Sequence, residues 1–172
     1  VLEDRSVIFW TGWAFIGETY KKYIELFNHC YEQFYKRDLG NVFFDCTNYY
    51  FEIDIPKDDK QKGASKENRK DPIIRQALLL DADLVPIAMQ MYPGNESEKP
   101  YIRKLIQEMK QRYKVKSRTV QVADKGLNCA RNIYADTVEA KDGYIFSKSI
   151  HGKGLSAAEK TWLLLENDKN VY

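Results

Sequence analysis

Apolar residues recur along this chain with two periods, and the switches between them mark its elements. Phe9, Trp13 and Ile16 fall at i, i+4 and i+7, and Tyr23, Ile24, Phe27 and Tyr31 continue at near-helical spacing. This predicts helix over residues 1–38, with Gly12 and Gly17 as interruptions and Arg37-Asp38-Leu39-Gly40-Asn41 as the stop. Residues 42–55, rich in Val, Phe, Tyr and Ile, predict a long strand. Residues 57–72 are polar without an apolar anchor and read as a mobile loop. Two strands follow, near 73–81 and 84–91, joined by Asp81-Ala82-Asp83, with Pro86 assigning the second to an edge or a bulge.

Tyr92-Pro93-Gly94-Asn95 reads as a turn, and Ser97 and Pro100 as a helix start. Ile102, Leu105, Ile106 and Met109 then make one apolar face of a helix packed on a sheet. A strand at 119–123 ends at Asp124, a short helix spans 127–136, and a strand at 144–147 follows Asp142-Gly143. Ser156 begins a last helix over 156–166 carrying Trp162, Leu163 and Leu165. Three sequential strands followed by alternating helix and strand predict an α/β fold with a mixed sheet. The helix near 98–113 is long enough for the crossover that parallel pairing requires.

Composition narrows the class. The 172 residues suit one domain, and 44% hydrophobic with 13% aromatic content supports a packed core. The formal net charge of +2 does not advertise nucleic-acid binding in bulk, so a local basic surface would have to supply it. Cys30, Cys46 and Cys129 are odd in number and form no CxxC, which predicts free thiols and a reducing, cytoplasmic location. His29 and His151 are too scattered for a zinc site. No apolar run approaches membrane-spanning length.

Two stretches carry candidate chemistry. Val42-Phe43-Phe44-Asp45 and Thr119-Val120-Gln121-Val122-Ala123-Asp124 each deliver an aspartate from an apolar β run. A buried carboxylate needs a cation, and two similarly placed ones point to a shared divalent metal of the oxygen-liking kind. Against this, Asp45 fits an outward-facing position in a strand and Asp124 a helix N-cap. Lys148 and Lys153 follow the last strand and are candidate DNA contacts, equally readable as surface lysines. Arg103, Lys104, Lys110 and Arg112 read as the wet face of the long helix. The loop 57–72 is equally readable as a phosphate clamp or a solvated loop.

The stretches Phe44-Asp45-Cys46-Thr47-Asn48-Tyr49-Tyr50-Phe51-Glu52-Ile53, Tyr92-Pro93-Gly94-Asn95-Glu96-Ser97-Glu98 and Val122-Ala123-Asp124-Lys125-Gly126-Leu127-Asn128, in this order, resemble bacterial insertion-sequence transposases of the DDE type. The resemblance is to the group whose ribonuclease H-like core carries a β insertion before its last acid. It covers residues 40–150 best. It implies a mixed sheet of three antiparallel then two parallel strands, with helices on both faces. Residues 1–40 would precede the core, and 41–172 would be the core, truncated before its third acid.

The resemblance further implies Asp45 and Asp124 as catalytic magnesium ligands, with manganese able to substitute. Lys125 stands where the family has arginine, keeping the charge without the bidentate fork. The family's third acid, a glutamate near Tyr, Arg and Lys, has no match here. Glu159 reads better as a first-turn helix carboxylate. The acid is therefore expected beyond Tyr172, and the chain is read as a piece of a larger protein, inactive alone. The implied partners are transposon-end and target DNA, in a homodimer, with no membrane. A metal-dependent nuclease of the same fold and a non-catalytic DNA- or partner-binding remnant are the alternatives.

Overall fold

The computed structural model describes residues 11–12, 14–63, 70–148 and 156–158. Five strands form one sheet: β1 (Asn41–Tyr50), β2 (Ile73–Leu80), β3 (Pro86–Pro93), β4 (Val120–Ala123) and β5 (Gly143–Phe146), in the order β3-β2-β1-β4-β5. β1, β2 and β3 pair antiparallel, and β4 and β5 add to β1 in parallel. This is the ribonuclease H-like mixed sheet that the element order and the resemblance implied. Strand β1 stops at Tyr50 rather than running to residue 55: the Phe51 amide still donates to the Pro72 carbonyl (2.9 Å), but Pro72 has no amide to return a bond.

Alternation in β1 decides where the core sits. Val42, Phe44 and Cys46 are buried, as are Ala77 and Leu79 opposite them in β2. Helix α2 (Lys99–Tyr113) covers this face with the stripe Ile102, Leu105, Ile106 and Met109, each 4% exposed or less. Burial of such a stripe, at about 1.5–3 kcal/mol per large apolar side chain, holds the helix more firmly than its own propensity. Tyr92 completes the layer, stacked on Tyr101 with centroids 4.0 Å apart and donating to Cys46 Sγ at 3.3 Å.

Helix α1 (Tyr20–Glu32) closes the open edge of β3. The Met91 amide donates to Tyr20 Oη (3.1 Å), and Asn28 Nδ2 donates to the Ile87 carbonyl (2.8 Å). Side chains thus satisfy edge groups that would otherwise invite another strand. The helical stretch over 14–18 runs through Gly17 and breaks at Thr19. Thr19 Oγ1 donates back to the Phe15 carbonyl (2.6 Å), a bond that competes with the helical ladder. Pro86 opens the edge strand beside a register shift at Leu79/Leu80, as its missing amide requires.

The segment 57–63, expected to be loose, folds onto the sheet through bridges Lys57–Lys60 and Gln61–Ile73. Gly94 permits this contact: a Cβ there would stand 2.3 Å from the carbonyl oxygens of both Gln61 and Ile73. Residues 64–69, the bulk of the expected final helix, and Phe9, Trp13, His151, Lys153 and Glu159 lie outside the described residues. The three cysteines are free thiols. Among the described residues, no helix is long and apolar enough to cross a membrane.

After β4 the chain makes a 3-10 turn (Lys125–Leu127), a short helix α3 (Ala130–Tyr134) and a π-helical turn (Ala135–Glu139), where sequence spacing suggested one helix over 127–136. Two basic residues of α2 expected on its wet face turn inward here. Arg103 reaches Asn132, and Lys110 Nζ meets the Asp142 carboxylate at 2.5 Å. Buried polar partners on these turns, invisible to a hydrophobic period, draw them in.

Candidate active site

The parallel pair β1–β4 builds the candidate site. Its register runs Asn41–Val120, Val42–Gln121, Phe43–Val122 and Phe44–Ala123. Asp45 is the next residue on β1, and Asp124 directly follows the end of β4. Asp124 keeps an extended backbone (φ −73°, ψ 176°), so the two aspartates follow one another across neighbouring strands on the side opposite Phe44 and Ala123. They sit at the carboxyl end of β4, where open α/β sheets bind ligands.

Both aspartates are exposed. The argument that Asp45 is a buried charge in need of a cation therefore does not hold. It is an outward-facing residue in regular alternation, with Phe43 beside it half-buried. Asp124 also does the ordinary work of a cap: its Oδ1 accepts the Gly126 amide at 2.9 Å and starts the 3-10 turn. One oxygen is thereby oriented within the turn.

Strand β5 supplies the third wall. Its last pair with β4 is Ala123–Phe146, and the Ser147 amide donates to the Ala123 carbonyl (3.4 Å). Asn128 Nδ2 donates to the Ser147 carbonyl (3.2 Å), tying the turn after Asp124 to the end of β5. Lys125 and Lys148, both exposed, follow directly on the ends of β4 and β5. They are thus brought to the rim of the same site.

One neighbour escaped sequence reasoning. A Cβ on Gly126 would stand 2.2 Å from Glu98 Oε1 and 3.1 Å from Asp124 Oδ1. Glu98, at the start of α2, therefore lies against the turn that carries Asp124. Only its place in the Tyr92–Glu98 stretch hinted at a role. Replacing Gly126 with alanine is expected to cost little, at the low end of the roughly 1–3 kcal/mol for overpacking, because the flexible end of Glu98 can swing aside. Urea denaturation of Gly126→Ala measures this; a loss well above that range would mean the turn cannot yield.

The donor set suits a hard cation that retains water. Two adjacent exposed carboxylates offer oxygen ligands and leave space for waters, as magnesium prefers. Among the described residues, no group of three or more His, Cys, Asp or Glu is gathered to hold a metal ion. Asp45 and Asp124 could supply two ligands of such a site, not a complete cage.

No family model matches the sequence, and no curated protein matches it. Among solved structures, the chain is similar to piggyBac transposase in a synaptic complex with hairpin DNA. The TM-score is 0.49 at 12% identity, covering 78% of this chain and 27% of that one. It is also similar to Mos1 transposase in a paired-end complex with the left transposon end. That TM-score is 0.41 at 14% identity, covering 73% of this chain and 40% of that one. The chain thus spans less than half the length of either.

Proposed function

We propose that this chain is the acidic core of a DNA transposase of the DDE type, acting by metal-dependent phosphodiester cleavage and strand transfer. The observation that supports the reading is the β1–β4 register, whose last pair, Phe44–Ala123, immediately precedes Asp45 and Asp124. The three sequence stretches that resemble insertion-sequence transposases agree with it.

In this reading Asp45 and Asp124 hold magnesium, with manganese able to substitute. The bound metal supplies an activated water and steadies the leaving oxygen. Asp45 keeps its carboxylate on a regular strand, and Asp124 keeps one through its bond to the Gly126 amide. Lys125 and Lys148 meet phosphate at the rim, and Lys153 is a third candidate for such contact, giving salt-dependent binding rather than base reading. The third acid comes from beyond Tyr172, and the complete protein acts on transposon ends and target as a homodimer.

The test is a calorimetric titration of this chain with manganese, beside incubation with supercoiled plasmid. Weak binding that disappears in both Asp45→Ala and Asp124→Ala is expected, with the plasmid left intact because two carboxylates underhold a second ion. Binding unchanged in both variants would remove the metal basis of the proposal. Nicking by the wild type but not by Asp124→Ala would place all the required ligands within these residues and bring Glu159 back as the third.

A further inference from the structure

A second polar cluster lies away from the aspartate pair, between α2, β4 and the π-helical turn. A cavity of about 150 Å³ opens there, lined by Arg103 and Gln107 of α2, Gln121 of β4, and Asp136 and Glu139 of the turn. Asp136 is 3% exposed, and among the described residues its Oδ2 has no hydrogen-bond partner. Gln121 bonds the carboxylate, and Asp142 faces it as a like charge. Arg103 and Lys110 face it from α2 as opposite charges, but each is engaged elsewhere: Arg103 with Asn132 of α3, Lys110 with Asp142 at 2.5 Å. Glu139, on the same turn, is engaged by Arg131 at 2.9 Å.

The backbone around Asp136 is tied to the residues that lead into β5. The Asp142 amide donates to the Asp136 carbonyl (2.7 Å), and the Ala140 amide closes the π ring on Ala135 (2.9 Å). The Thr119 amide donates to Asp142 Oδ1 (3.0 Å), and the Gly143 amide donates to the Thr119 carbonyl (2.9 Å). A change of charge at Asp136 therefore acts on the segment that leads into β5. Single π turns inside helical segments often mark functional positions.

We propose that this cluster is a proton-sensitive latch: with Asp136 protonated the π turn and β5 are held to α2 and β4, and with Asp136 ionised that hold loosens. Burial, with a smaller push from Asp142, raises the Asp136 carboxyl from 3.8 to about 6, against the pull of Gln121, Arg103 and Lys110. When the turn opens, the group returns to its ordinary value. Between 3.8 and about 6 the closed turn thus binds more protons than the open one. Its stability falls as pH rises through that window and is level above it. The inference does not depend on the transposase reading.

The test is amide hydrogen exchange on the whole chain, corrected for intrinsic exchange, at pH 4.5 and 7.5. Protection of the Ala140, Asp142 and Gly143 amides is expected to fall at least about tenfold over this range, relative to Phe44 and Leu79 in the sheet centre. Asp136→Asn, nearly isosteric and uncharged, is expected to abolish the difference. Gln121→Met, which removes a donor to the ionised form, is expected to move the loss of protection to higher pH. Equal pH dependence in wild type and Asp136→Asn, or an unmoved midpoint in Gln121→Met, would overturn the latch.

Discussion

Asp81→Ala is expected to destabilise the chain by about 3–5 kcal/mol, the range for breaking a buried ion pair from one side. Asp81 is fully buried, and its Oδ2 accepts Arg37 Nη1 at 2.5 Å. Its Oδ1 accepts the amides of Asp83 (3.1 Å) and Val85 (2.8 Å), shaping the β2–β3 hairpin. Arg37 in turn bonds Asn28 of α1 and the Pro86 carbonyl (3.2 Å), and lies 4.6 Å over the Tyr31 ring. Its side chain is only 3% exposed.

Truncating Asp81 leaves that guanidinium with Glu32, 3.5 Å from Nε, as its nearest carboxylate. It also strips two amides of their acceptor. Against a total stability of about 5–15 kcal/mol for an ordinary domain, this approaches unfolding. Urea denaturation of wild type, Asp81→Ala and the double variant Arg37→Met/Asp81→Leu measures it. The double variant is expected to lose less than the single one, because no unpaired charge remains inside. A loss under about 1 kcal/mol in Asp81→Ala would show that water reaches Arg37 after all.

On the proposed transposase reading, Asp45→Asn is expected to lower strand transfer by a protein carrying this chain and the third acid about a hundred- to a thousandfold, the scale of losing a principal electrostatic stabiliser of a transition state. The fold should be untouched. Asp45 is exposed on β1, and asparagine fits the same strand position. Unfolding midpoints of wild type and variant should therefore agree within about 0.5 kcal/mol, as for surface substitutions generally. Activity retained in Asp45→Asn would remove Asp45 from the reaction. Activity lost together with stability would assign it a structural role. The contrast with Asp81 is one of burial: Asp81 is fully buried against Arg37, whereas Asp45 stands exposed on its strand.

Legibility of the fold tracks periodicity. Ile102, Leu105, Ile106 and Met109 repeat at helical spacing because one face of α2 is buried, and Val42, Phe44 and Cys46 alternate because one face of β1 is. Those patterns determined the elements, their order and the mixed sheet. Pro86, which cannot donate to a ladder, announced the edge strand. Asp124 announced a cap, which it is.

What the sequence could not supply is anything decided between elements. Register across β1 and β4 is a matter of which backbone groups pair, and only that pairing ends on Phe44–Ala123, immediately before Asp45 and Asp124, with Asp45 exposed. Arg37, Asp81, Asp136 and Asp142 stand in stretches whose composition spells turns and surface. Their burial follows from the crossing of α1 with the β2–β3 hairpin and of α2 with the π turn, where each charge found a partner or lost its water. Hydrophobic residues declare their burial by spacing. A polar residue is buried only where tertiary structure brings it a partner, and nothing local encodes that meeting.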